Sequence, residues 1–109
     1  VMNSVDQNDE ELMAIAVLHD LLEDCPEYSV KFGKANFSDR IFDGVRLLTH
    51  KREVPYMDYI KIIALNEDAR RVKLADLKDN SDITRLKGLR KKDFDRMEKY
   101  HTAFMYLTQ

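Results

Sequence analysis

Ala16-Val17-Leu18-His19-Asp20-Leu21-Leu22-Glu23-Asp24 is an apolar run that ends in a histidine and three carboxylates. Read as helix, positions 19, 20, 23 and 24 fall on neighbouring columns, because residues three and four apart share a face. One imidazole and three carboxylates then stand along one edge of a helix whose other side is Leu12, Met13, Ile15, Ala16 and Leu18. Acidic side chains at a helix C-terminus oppose the macrodipole and gain nothing from it. A solvated acidic face needs no such apolar lead-in, so a metal or a substrate explains the cluster better. The plain alternative is a satisfied core histidine beside ordinary surface acids.

A second stretch, Arg71-Val72-Lys73-Leu74-Ala75-Asp76-Leu77-Lys78-Asp79-Asn80, has a helical pattern with another carboxylate set among Val72, Leu74, Ala75 and Leu77. Asp76 and Asn80 are four apart and line one face, with Lys73 one turn before Asp76. The two stretches supply one nitrogen and several oxygens. That mix suits a borderline or hard divalent ion and not a thiolate zinc site.

His19-Asp20 with Glu23-Asp24, followed by Lys73-Leu74-Ala75-Asp76 with Asn80, resembles the HD-domain metal-dependent phosphohydrolases. Within them it is most similar to the hydrolase domain of the RelA/SpoT family, including its small stand-alone members, which remove pyrophosphate from guanosine tetra- and pentaphosphate. The resemblance spans nearly the whole chain, since Arg40 to Thr49 and Tyr56 to Ile60 also sit where such proteins carry helices. The paired motifs are more specific for the superfamily than for its substrate. The implied fold is an all-α HD-domain bundle with a metal site between central helices.

The resemblance implies that His19, Asp20 and Asp76 are metal ligands, with manganese the expected ion. Glu23 and Asp24 would orient or deprotonate the attacking water. Asn80 would hold the metal-site helix or a ribose or phosphate oxygen. A pyrophosphate substrate needs cations, and Lys51, Arg52 and Lys73 are the candidates; loop cations are commonly just solvated, and Lys73 equally fits an ion pair with Asp76. Tyr59 is a candidate to stack on a base, or else a core residue. His50 and His101 read as structural. The family's first metal-binding histidine has no counterpart before His19, and the chain begins at Val1 rather than methionine. The expectation is a missing N-terminal helix that carries this histidine, with a site that is weak or empty without it; a degraded site is the alternative.

Composition limits the other classes. The chain is 109 residues long, 44% hydrophobic and 35% charged, which fits one globular domain and not a disordered one. Its net charge of −2, with both signs interspersed, provides no global field for nucleic acid. A helical nucleic-acid binder built on Lys51-Arg52 and Lys87 to Lys92 is therefore disfavoured. The sole cysteine, Cys25, permits no intrachain disulfide, and a reducing cytoplasm is the default. The longest apolar run, Leu12 to Leu18, falls far short of the roughly 20 residues that span a bilayer. The expected partner is a nucleotide, with no nucleic acid and no membrane. Two alternatives stay open: an HD phosphohydrolase of another nucleotide or phosphoester, and a catalytically silent HD-fold regulatory or binding module.

Three glycines and two prolines leave few turn signals, so five to seven long helices are expected. Val1 to Val5 reads as the tail of a helix, followed by a turn at Asp6 to Asp9. Asn8 or Asp9 caps a helix that runs to about Asp24 and stops before Pro26. Cys25 to Phe37 reads as the least regular part, either bordering the pocket or merely connecting. Ser38 caps a helix from Asp39 to about His50, and Pro55 opens the next. Asn66 or Asp68 begins the helix of Asp76, which frays near Asn80 to Thr84. Arg85 to Leu89 is a loop. The last helix runs from about Lys92 to Leu107, burying Phe94, Met97, Tyr100 or His101, Phe104 and Leu107.

Overall fold

The computed structural model describes residues 9–80 and 90–109. The expectations for Val1 to Asn8, for the fraying beyond Asn80 and for the loop at 85–89 lie outside these residues, as does the start of the basic stretch 87–92. The described residues form six α-helices and no strand: α1 Glu10–Asp24, α2 Ser29–Lys34, α3 Asp39–Leu48, α4 Tyr56–Ile63, α5 Glu67–Asn80 and α6 Lys91–Leu107. None is long and apolar enough to cross a membrane.

The expected caps start the first, third and fifth helices. Asp9 Oδ1 accepts from the Leu12 N–H at 3.0 Å, Ser38 Oγ from Ile41 at 3.4 Å, and Asn66 Oδ1 from Ala69 at 2.9 Å. Each satisfies one of the amides that a helix start leaves orphaned.

The two helices singled out in the sequence bury the same stripe. In α1 it is Leu12, Ile15, Ala16 and His19; in α5 it is Ala69, Val72, Lys73 and Asp76. Both follow i, i+3, i+4, i+7, the spacing of one helix face. His19 and Asp76 thus end core-facing stripes, while Asp20 is half-buried and Glu23 and Asp24 lie on the solvent side. α1 packs on α3 and α5, and α5 also packs on α6, α3 and α4. At the α1–α3 contact Gly44 admits Ile15 so closely that a Cβ there would lie 2.7 Å from Ile15 Cδ1 and 3.1 Å from Cγ1.

Arg40, on α3, ties the N-terminal ends of α1 and α5 together. It donates to both carboxylate oxygens of Asp68 at 2.8 and 2.9 Å, and to Asp9 Oδ2 at 2.8 Å. The bidentate fork matches carboxylate geometry.

Two expectations are corrected. The stretch 25–37 is largely regular: a 3-10 turn at Pro26–Tyr28 leads into α2. Phe32, Phe37 and Phe42 hold it against α3, with ring centroids 4.9–6.1 Å apart, a long-range contact that local turn residues do not reveal. Phe94 is 53% exposed instead of buried. Its neighbour Asp93 faces inward, accepting from the Arg90 N–H at 3.0 Å and from Arg96 at 2.8 Å. Successive helical residues differ by about 100° in direction, so an inward Asp93 turns Phe94 out. His101 is exposed, and Ala103 and Leu107 are the apolar residues that α6 buries.

Candidate functional site

His19 is 2% exposed, and among the described residues neither ring nitrogen makes a well-formed hydrogen bond. Buried imidazole nitrogens are normally satisfied, and leaving one bare costs about 1–3 kcal/mol. The nearest polar atoms belong to its own helix. Nε2 lies 3.1 Å from Glu23 Oε1, and Nδ1 lies 3.7 Å from Asp20 Oδ1. The Glu23 approach is an i, i+4 ion-pair contact along the helix, and it is the main influence of His19 on the Glu23 carboxyl.

His19, Asp20 and Glu23 each offer one ligand atom, and these atoms lie within 4.8 Å of one another. Asp20 is partly buried and Glu23 is exposed. Desolvation raises the Asp20 carboxyl above its ordinary range; His19 opposes the rise, and the charges of Asp76 and Glu23 add to it. Glu23 shifts the other way. The His19 imidazole beside it holds its carboxyl down against desolvation, with help from the charge of Lys73. One carboxylate of the pair is thus pushed toward its neutral form and the other toward its ionised form.

Asp76 faces this group from α5, and its carboxylate is fully engaged. Lys73 Nζ donates to Oδ2 at 3.2 Å, and Asn80 Nδ2 donates to Oδ1 at 2.9 Å. Lys73 and Asp76 are 7% and 8% exposed. The ammonium also lies 5.3 Å from the Tyr59 ring centroid and 6.0 Å from that of Tyr56, within cation–π range.

The structure brings together the ligand atoms of His19, Asp20 and Glu23 on α1, whereas Asp76, with Lys73 and Asn80 on α5, stands outside that close group and near enough for its charge to act on Asp20. Asp24, at the end of α1, is exposed and outside the group of close ligand atoms. Lys51 and Arg52 are exposed on the turn between α3 and α4, and no ion pair joins them to the His19 group among the described residues. Lys51 instead lines a cavity of about 240 Å³ with Arg46, Thr49, Val54 and Tyr59. Tyr59 is itself a core residue, 5% exposed, whose hydroxyl donates to the Leu48 carbonyl at 2.6 Å. One ring face stacks on His50 at 4.5 Å, which leaves little room for a base. His50 Nε2 donates to the Val54 carbonyl at 2.7 Å.

Tyr56 has no role in the sequence reading beyond its place in a helix. Its hydroxyl is buried without a partner, and burial raises its pKa above the ordinary tyrosine value. The Tyr56/Tyr59 spacing of three is the only local hint; that the pair meets a buried lysine depends on how α4 packs against α5.

The donor set passes the chemical test for a divalent ion. It offers a buried imidazole beside the carboxylate oxygens of Asp20 and Glu23, all three from α1, with burial raising the Asp20 carboxyl above its ordinary range. No protein-family model and no curated protein matches the chain.

Proposed function

We propose that the chain is a divalent-metal-dependent phosphohydrolase of the HD type, which releases pyrophosphate from guanosine tetra- or pentaphosphate. The observation that carries the metal-dependent reading is the buried imidazole of His19, whose ring nitrogens face only the carboxylates of Asp20 and Glu23 among the described residues, with their ligand atoms within 4.8 Å of one another. The substrate class rests on the resemblance of the two motifs to the RelA/SpoT hydrolase domain.

His19, Asp20 and Asp76 would hold the ion, which supplies charge compensation for phosphate oxygens and acidity to water. Asn80 fixes the orientation of the Asp76 carboxylate through Oδ1. Glu23, held ionised and exposed, accepts the proton of the attacking water at its carboxylate. The water oxygen bonds to phosphorus as the bond from that phosphorus to the ribose oxygen breaks; the ribose oxygen, the leaving group, takes a proton from solvent water, and the proton on Glu23 returns to solvent. Lys73 supplies positive charge near the pyrophosphoryl group under attack. Asp24 lies outside the close group, so the proton-accepting role falls to Glu23.

Calorimetric titration with Mn²⁺ and a pyrophosphate-release assay on guanosine tetraphosphate test this reading. The wild type should bind the ion and turn over. His19→Leu should lose the ion yet fold at least as well metal-free, because it removes two buried polar atoms that make no well-formed hydrogen bond among the described residues. Unchanged Mn²⁺ affinity in His19→Leu would overturn the metal assignment. Hydrolysis of a different nucleotide, with guanosine polyphosphates left intact, would keep the centre and replace the substrate.

A further inference from the structure

Both oxygens of Asp76 are already taken, one by a neutral amide and one by an ammonium. A carboxylate oxygen has two lone pairs, so the Asn80 amide on Oδ1 is compatible with a cation bound to the same group. The ammonium on Oδ2 is not, because it brings a like charge against a divalent ion at a buried site where water screens poorly. Lys73 is therefore the partner that Asp76 must give up or share.

The surroundings of Lys73 suit such an exchange. Without Asp76, the ammonium would still lie against two tyrosine rings, at 5.3 and 6.0 Å from their centroids. The hydroxyl of one of them, Tyr56, is buried and unpartnered, and so offers an acceptor.

We infer that Lys73 is the resident counter-ion of the metal-free site: its ammonium and a divalent ion are alternative partners of Asp76, and metal binding releases Lys73 toward the tyrosines and the substrate phosphates. This rests on the metal-centre reading above. It makes Lys73 a positioning residue that links the arrival of the ion to the availability of a cation for pyrophosphate. It also explains how a core stripe tolerates Asp76 before any ion arrives. Breaking a buried pair by removing one partner is strongly destabilising, so the lysine keeps the empty site folded.

The test uses Mn²⁺ alone, with no substrate and no turnover. Calorimetry on wild type, Lys73→Met and Lys73→Arg should show the Met variant binding Mn²⁺ at least roughly tenfold more tightly, with the Arg variant close to wild type. The metal-free melting temperature of Lys73→Met should fall and recover with Mn²⁺. If Lys73→Met does not fold, amine acylation of the wild type, read by mass spectrometry, decides the matter: Lys73 should label faster when Mn²⁺ saturates the protein. Equal or weaker Mn²⁺ binding by Lys73→Met, or labelling of Lys73 that ignores the ion, would overturn the inference while leaving the metal centre standing. A wild type that binds no Mn²⁺ at all would remove the centre, and this inference with it.

Discussion

The paired helices α1 and α5 have contrasting ends. Near their N-termini, Arg40 bridges Asp9 and Asp68 with three hydrogen bonds of 2.8–2.9 Å. Toward their C-termini, the Lys73 ammonium pairs with Asp76, and the His19 imidazole contacts only the carboxylates of Glu23 and Asp20 among the described residues. The first cluster is part-buried and closed in its bonding; the second combines buried His19, Lys73 and Asp76 with the more exposed carboxylates of Asp20 and Glu23. Water could have satisfied the first cluster cheaply, yet it is paired. The second, where an unpaired group costs most, is the one left incomplete. Under the proposed metal-dependent reading, a bound cation would complete this end.

The sharpest way to separate the two ends is Glu23→Gln. The open end predicts a fall in turnover of about 10²–10⁴-fold, the usual contribution of positioned proton transfer. The unfolding midpoint should barely move, since Glu23 is exposed. Loss of Mn²⁺ affinity alongside activity would recast Glu23 as a ligand, in keeping with its place among the close ligand atoms.

The closed end predicts the opposite pattern. Arg40→Met should lower stability by ~1–2 kcal/mol, a value already reduced for the partial exposure of the ion pairs. Mn²⁺ affinity should stay unchanged in calorimetry. A variant that kept full stability in urea unfolding would show that the bridge is decorative; one that lost the ion would show that the two ends are coupled along the helices.

Between the ends, Gly44 sets how closely α3 lies on α1. Gly44→Ala gains helix propensity, about 1 kcal/mol, but forces a methyl against Ile15, which is fully buried. Overpacking of a tight core costs about 1–3 kcal/mol, so a net loss of about 1 kcal/mol is expected in urea unfolding. Stabilisation instead would mean that Ile15 can change rotamer freely and that the helix pair is less rigid than its contacts imply.

What could be read in the chain beforehand follows the range of each interaction. The all-α class and the starts of α1, α3 and α5 were legible because caps and i, i+3, i+4 stripes are local. So was the pairing of Lys73 with Asp76, one turn apart. Placing Asp76 opposite Asp20 needed the resemblance, since nothing local relates residues 56 positions apart. Arg40 escaped notice as a bridge because Asp9 and Asp68, 31 and 28 positions away, look like ordinary helix starts. α2 was hidden by Pro26 and Gly33, and only three phenylalanines meeting in space give it a reason to form. Phe94 was misplaced because periodicity weighs apolarity alone, whereas the capping bonds of Asp93 set the register.

The smallest effect lies in the acid response of the closed end. Asp9 is held below its ordinary pKa, first by the hydrogen bond from Arg40 and then by the Leu12 amide. In the unfolded chain the same carboxyl returns to its normal value, so between the two values the unfolded state binds more protons. Stability from this group is therefore present above the ordinary carboxylate pKa and is lost as pH falls through the lowered folded value. Asp9→Asn keeps a cap of similar quality but cannot carry the charge. Urea unfolding of the two proteins at a series of pH values should show wild type more stable at neutral pH and the gap closing in acid. A gap that persists unchanged below the lowered pKa would mean that Asn fails as a cap, and that the charge on Asp9 contributes nothing to the bridge.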